Sequence, residues 1–211
     1  MRRTFLLVIL LATSTAQGEI FKVKIDGVID PITSEFITGA VEQAEEQEAE
    51  FLLIALSPPG GLGVSMQEII QVILNSEVPI VCFVEPQGAR AASAGFFILL
   101  SADLAVMAPG TNTGGAHPVF PFGGEDETML EKVPNDALAN LRAIVSKRER
   151  NYDMAEKGVL ESQSYTAQEA LEGGLIDLIV EDEAELLREL HGREITRFSG
   201  ERQRLETEDQ E

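Results

Sequence analysis

Apolar and polar positions alternate along Glu19 to Asp30 (EIFKVKIDGVID), with Phe21, Val23 and Ile25 on one side. The period of two predicts a strand that ends at a turn on Gly27. Pro31 then opens a helical spacing through Phe36, Ile37, Val41 and Ala44, closing in the acidic run between Glu45 and Glu50. Phe51 to Leu56 (FLLIAL) is apolar without a break. A run that short and that uniform predicts a strand covered on both faces. The same logic gives an amphipathic helix over Val64 to Leu74, a buried strand over Pro79 to Val84, a helix beginning near Ala92 and a strand over Asp103 to Met107.

The stretch after Met107 (APGTNTGGAHPVFPFGGEDE) is rich in glycine, proline and small polar residues and reads as a long shaped loop. Helical spacing resumes with Pro134 as first helical residue and runs to Lys147, and a further helix is predicted from Tyr152 to Leu160. Thr166 to Gly173 forms a short helix in which Thr166 and Glu169 have the spacing of a capping box. Leu175 to Val180 reads as a strand and Leu186, Leu187 and Leu190 as one face of a short helix, while the residues beyond Phe198 read as a solvated, mobile tail.

Strands and helices alternating at this spacing predict an α/β fold of repeated βαβ units around a mostly parallel sheet. Sites in such sheets lie beyond the carboxyl ends of the strands. Two loops then open on the same edge: Ser57-Pro58-Pro59-Gly60-Gly61 after one strand, and the segment Gly88 to Leu100 (GARAASAGFFILL) after the next.

The balance of 36 acidic against 16 basic residues, a formal charge of −20, argues against a nucleic-acid partner, which needs a basic face. Tryptophan is absent, so no aromatic platform for bases is expected. Arg2 and Arg3, the apolar run Phe5 to Ala12 and the small residues Ser14-Thr15-Ala16 read as an export signal spanning residues 1–16, cleaved after Ala16 or kept as a tether. Cys82 is the single cysteine, so no internal disulfide is possible, and its neighbours Ile80, Val81, Phe83 and Val84 point to a buried, inert thiol.

Ser93 is the candidate nucleophile. Ala91, Ala92, Ala94 and Gly95 let another backbone approach it closely, and the start of a helix beside it favours a developing anion. Adjacent Gly60 and Gly61 can turn their amides outward to hold an oxyanion, although a plain strand-to-helix turn would use the same residues. A serine also needs a base, and two residues downstream can supply it. Lys132, just ahead of the predicted helix and beside Met129, Leu130 and Val133, sits in an apolar setting that favours a neutral amine. His117, in Gly114-Gly115-Ala116-His117-Pro118, is the other.

Five stretches occur in order: SPPGG, GARAASAGFFILLSAD, MAPGTNTGGAHPV, EKVPNDALANLRAIVSKRERN and ESQSYTAQEALEGGLID. On these the chain resembles the NfeD-type membrane-associated serine proteases, the ClpP-class branch of the ClpP/crotonase-like fold, over about Ile20 to Leu190. The resemblance implies a serine endopeptidase with a Ser–Lys dyad, Ser93 as nucleophile and Lys132 as general base, and no cofactor. Its oxyanion donors fall on the backbone of Gly60 or Gly61 and of Ala94. More distant ClpP peptidases use a histidine, which falls near His117, and an acid, which falls near Ser162 with Glu161 only adjacent. That makes a Ser–His–Asp triad the weaker assignment.

The implied substrates are apolar segments of membrane-linked proteins, with a stomatin-like partner among them, and Val119, Phe120 and Phe122 offer an apolar groove. A homo-oligomer, dimer or larger, and a membrane protein partner are implied too, with the chain exported to the periplasm or the outer face of the cytoplasmic membrane. Long members continue into transmembrane helices and a small β-barrel, so the resemblance is to the protease domain, placed here at residues 19–192 with an acidic tail at 193–211. Two rival readings share the fold: a crotonase-like acyl-thioester enzyme, and a catalytically inactive periplasmic scaffold domain.

Overall fold

The structure, a computed structural model, describes residues 18–117 and 127–208, and for residues 127–134 the helical backbone alone. The export signal expected at residues 1–16 lies outside the described residues.

Five parallel strands form the central sheet in the order β1 (Ile20–Ile25), β2 (Phe51–Leu56), β3 (Ile80–Val84), β5 (Leu104–Met107), β8 (Leu178–Ile179). Each crossover between the first strands is a helix: α1 (Pro31–Glu46) after β1 and α2 (Gly63–Asn75) after β2. Asp30 accepts the Thr33 amide at 2.8 Å and so caps α1, with Pro31 at its first position, where a missing amide costs nothing. Between β3 and β5 the chain makes a short strand, β4 (Arg90–Ala92), and then α3 (Ala94–Ser101). All eight residues of α3 are buried, as a helix apolar all round up to its final Ser101 requires.

β2 and β3 are buried along their whole length, and alternate residues enter two different cores. Leu52, Ile54, Leu56, Cys82 and Val84 pack towards α1, α2 and α3. Phe51, Leu53, Val81 and Phe83 face the other way, where Leu186, Leu190, Ile195 and Leu205 cover them. Burial pushes the Cys82 thiol up to about 12, which fits an inert core residue.

That second core corrects the expectation of a mobile tail. After α7 (Glu183–Leu190), strands β9 (Glu194–Thr196) and β10 (Arg202–Arg204) pair antiparallel, and Leu205 is fully buried beneath the sheet. Strands apolar on both faces demand a second cover, and the hairpin provides it. Arg197 fastens it: its guanidinium donates to the Ser76, Glu77 and Val78 carbonyls at 2.8 Å and to the buried Asp103 carboxylate at 3.2 Å. Asp103 also receives Arg148 at 2.6 Å and the Ile80 amide at 2.9 Å, so the buried charges are paired, with Arg148 Nη2 alone among the described buried side-chain atoms lacking a hydrogen bond. Asp103 itself falls just outside the strand expected to start with it.

Three further expectations need correcting. The helix expected to begin at Pro134 is α4 (Glu127–Lys147) and begins seven residues earlier, so Lys132 belongs to the helix rather than to the segment before it. The run ETMLEKV is rich in helix formers, and that propensity carries the helix through Pro134 although proline forfeits one intrahelical amide bond. The strand expected over Leu175 to Val180 shrinks to β8, because the Leu175 and Ile176 amides both turn back to the Ala170 carbonyl at 2.8 and 3.3 Å. The long loop contains a strand, β6 (Asn112–Gly114), which pairs parallel with β4 and antiparallel with β7 (Ser164–Thr166) to form a small second sheet. The helix α5 (Tyr152–Leu160) falls where expected, and α6 (Ala167–Glu172) begins with the expected Thr166–Glu169 capping box.

Leu205→Ala is expected to lower unfolding stability by about 2–5 kcal/mol in urea, as for any buried leucine. A change below about 0.5 kcal/mol, typical of a solvated tail, would contradict the hairpin's place in the core.

Candidate active site

Ser93 stands between β4 and α3 with φ 53° and ψ −112°, a left-handed backbone that a non-glycine residue adopts only under constraint. The constraints are visible. The Ala92 amide donates to the Pro58 carbonyl at 3.2 Å, the Ser93 amide to the Gly114 carbonyl at 3.0 Å, and the Phe96 amide back to the Ser93 carbonyl at 3.0 Å. A sharp strand-to-helix turn of this kind thrusts the side chain out of both elements. The hydroxyl makes no capping bond to the helix that follows. The helix begins at Ala94, two residues later than expected, which leaves Ser93 outside it and the Ala94 amide among the unpaired first-turn donors.

The glycine loop does meet the serine. A β-carbon at Gly60 would stand 3.2 Å from the Ser93 Cβ and 3.6 Å from its Oγ, and Gly60 has φ +143°. Gly61 is fixed from the opposite side, where a β-carbon would lie 2.2 Å from the Ile29 carbonyl oxygen. A parallel bridge holds that register: the Ile29 amide donates to the Gly60 carbonyl at 2.9 Å, and the Leu62 amide to the Ile29 carbonyl at 2.8 Å. Among the described residues no backbone carbonyl takes the Gly60 or Gly61 amide. Gly95 needs its small size too, since a β-carbon there would lie 2.6 Å from Pro58 Cγ. The two loops read separately in the sequence therefore form one packed unit.

Of the two candidate bases, Lys132 lies in α4 and its side chain is outside the described residues. His117 is exposed, and its Nδ1 lies 3.1 Å from the Val159 carbonyl. A carbonyl can only accept, so Nδ1 carries the proton and Nε2 keeps the basic lone pair. The partner is a main-chain carbonyl, not the carboxylate that a triad needs. Ser162 follows α5 with φ 55° and puts no carboxylate at that position, and Glu161 is exposed. Val119, Phe120 and Phe122, read as an apolar groove, lie outside the described residues. Among the described residues no group of histidine, cysteine and carboxylate side chains is arranged to hold a metal ion.

Sequence reading missed Gly114, whose carbonyl orients Ser93. Gly114 has φ +107°, and a β-carbon there would meet the Gln163 carbonyl oxygen at 2.4 Å. The Gly114-Gly115 pair in the long loop was the available signal, but nothing in the chain order says which strand it will face.

Comparison with known proteins settles the lineage. The family model described as the NfeD1b N-terminal domain matches residues 19–195. The chain belongs to this family. It is similar to the membrane-bound protease PH1510 of Pyrococcus horikoshii, 33% identical over 199 residues, which cover 91% of this chain and 45% of that protein. The NfeD1b-type chain thus spans less than half the length of that relative. Among solved structures it resembles the 1510-N membrane-bound stomatin-specific protease in two forms, a serine-to-alanine mutant and a lysine-to-alanine mutant in complex with a substrate peptide. Each has a TM-score of 0.85 at 30% identity over 93% of this chain, covering 96% and 91% of theirs. A ClpP1 mutant from Listeria monocytogenes, at TM-score 0.63 and 20% identity over 78% of this chain and 94% of its own, shows the ClpP-like fold.

Gly60→Ala is expected to lower stability by about 1–3 kcal/mol, through its φ and its contact with Ser93. Gly63→Ala, where a β-carbon meets nothing within 4 Å, is expected to raise it by about 0.4–1 kcal/mol. Thermal melts of the two variants moving in the same direction would contradict the tight approach at residue 60.

Proposed function

We propose that this chain is a serine endopeptidase that uses Ser93 as nucleophile and Lys132 as general base. One observation carries the reading: the glycine backbone at residue 60 closes on a strained, uncapped Ser93, with amides left over beside it. The neutral Lys132 amine takes the Ser93 proton as Oγ attacks the peptide carbonyl carbon. The amides of Gly60 or Gly61 and of Ala94 hold the resulting oxyanion, an arrangement in which one donor contributes on the order of 10² to 10³ in rate. The lysine ammonium then protonates the leaving amine, and an acyl-enzyme remains on Ser93. Water, deprotonated by the same lysine, attacks the ester and releases the second product.

The relatives support this choice of pair, since serine-to-alanine and lysine-to-alanine mutants of the 1510-N protease were both made, the latter with a substrate peptide. By the same likeness the substrates are apolar segments of membrane-linked proteins, a stomatin-like protein among them. The working unit is a homo-oligomer, dimer or larger, on the exported face of the membrane beside a membrane protein partner. No described helix is long and apolar enough to cross a membrane. The catalytic unit is placed at residues 19–192, with the hairpin that follows as its cover.

His117 is the second reading for the base, favoured by the tautomer that the Val159 carbonyl selects. Kinetics on an apolar peptide separates the two. Ser93→Ala is expected to abolish turnover, Lys132→Ala to reduce kcat by about 10³-fold or more, and His117→Gln to leave it within about tenfold. Full loss in His117→Gln with turnover retained in Lys132→Ala would transfer the base role to the histidine. No peptide turnover by the unmutated chain would turn the reading to the acyl-thioester enzyme or the inactive scaffold, and unchanged turnover in Ser93→Ala would remove Ser93 as nucleophile.

A further inference from the structure

Among the described residues six large apolar side chains stand exposed, and five of them collect at one edge. Val28 is 55% exposed, Ile32 77%, Phe36 52%, Leu62 52% and Val64 73%. All come from the segments that leave the carboxyl ends of β1 and β2, from the first two turns of α1 and from the first turn of α2. The parallel Ile29–Gly61 bridge sets Val28 opposite Gly60 and Leu62 opposite Asp30, so Val28 and Leu62 flank one short ladder. Ile32 and Phe36 stand one turn apart on α1, and the Ser34 hydroxyl donates to Glu68 at 2.9 Å, which ties the start of α1 to α2 one turn beyond Val64. Single exposed apolar residues need no explanation; five on one edge do.

Charge narrows what can cover this edge. Between Lys24 and Arg90 the chain carries eleven acidic residues and no lysine, arginine or histidine. The two helices that frame the apolar edge therefore present carboxylates alone, with Glu35, Glu42 and Glu68 exposed. A second copy docked through the same edge would set those carboxylates against each other, because a two-fold contact is made of one patch twice. The complementary occupant is apolar in the middle and cationic beside it. The edge is also continuous with the site: Leu62 follows Gly61, and Gly60 touches Ser93.

We infer that this edge docks the part of a substrate polypeptide next to the cleaved bond, an apolar stretch bordered by lysine or arginine. The word substrate rests on the protease reading; the docking does not. Apolar contact with Ile32, Phe36, Leu62 and Val64 supplies the hold, and the surrounding carboxylates select the flank and speed the encounter.

The test uses the Ser93→Ala chain and fluorescein-labelled peptides that share one core of valine, isoleucine and leucine, flanked by a run of lysines, of serines or of glutamates. Anisotropy at low salt is expected to rank them lysine, serine, glutamate, with about tenfold or more between the extremes. The spread is expected to collapse at about 0.5 M NaCl, where screening acts within a few ångströms. The double variant Ile32→Ser, Val64→Ser is expected to weaken all three by about fivefold or more, and Glu35→Lys to narrow the lysine-to-glutamate ratio. Equal affinity for the lysine and glutamate peptides, or unchanged binding by the double variant, would overturn the inference. So would self-association of the unmutated chain that the double variant abolishes, which would make the edge an interface between copies. The expected binding pattern without cleavage by the unmutated chain would support the docking and overturn the protease reading.

Discussion

Gly60 follows β2 of the central sheet and Ser93 follows β4 of the small second sheet, and the missing side chain at residue 60 lets them meet. The approach is held from behind by the Ile29–Gly61 bridge, which resumes β1–β2 pairing after both strands have ended. It is held from the side by Pro58, whose carbonyl takes the Ala92 amide and whose ring fills the space a side chain at Gly95 would need. These contacts keep Ser93 in a backbone conformation that costs about 1–3 kcal/mol on its own, with its hydroxyl uncommitted to the helix behind it.

The scaffold that supports this strain is a sheet buried on both faces. The upper cover of three helices was readable from hydrophobic spacing. The lower cover is made by α7 and the hairpin and is anchored through Arg197 on Asp103. Asp103 begins the turn into β5, directly after α3, so the hairpin braces the far end of the helix that starts beside Ser93. Sheet, helix and hairpin are one mechanical unit.

Legibility followed locality. Proline at a helix start, a capping box at Thr166 and uninterrupted apolar strands are local signals, and α1, β2, β3, α5 and α6 fell where those signals put them. The hairpin was missed because Ile195 and Leu205 are isolated apolar residues in a charged segment; their burial depends on Phe51 and Phe83, more than a hundred residues away. The start of α4 was missed because proline was given more weight than the helix formers before it. In the candidate site, the small residues around Ser93 and the glycine pair were legible from the sequence, and the structure sets Gly60 against Ser93. The Gly114 anchor was not, because it depends on β4 pairing with β6, and strand pairing is not written in spacing.

The most direct test of the central claim is to react the folded chain with a fluorophosphonate and map the adduct by mass spectrometry. The expected result is one phosphonyl group, on Ser93, with labelling lost on unfolding and a rate that rises with pH as the base loses its proton. No adduct on Ser93, or equal labelling of surface serines such as Ser199, would contradict it.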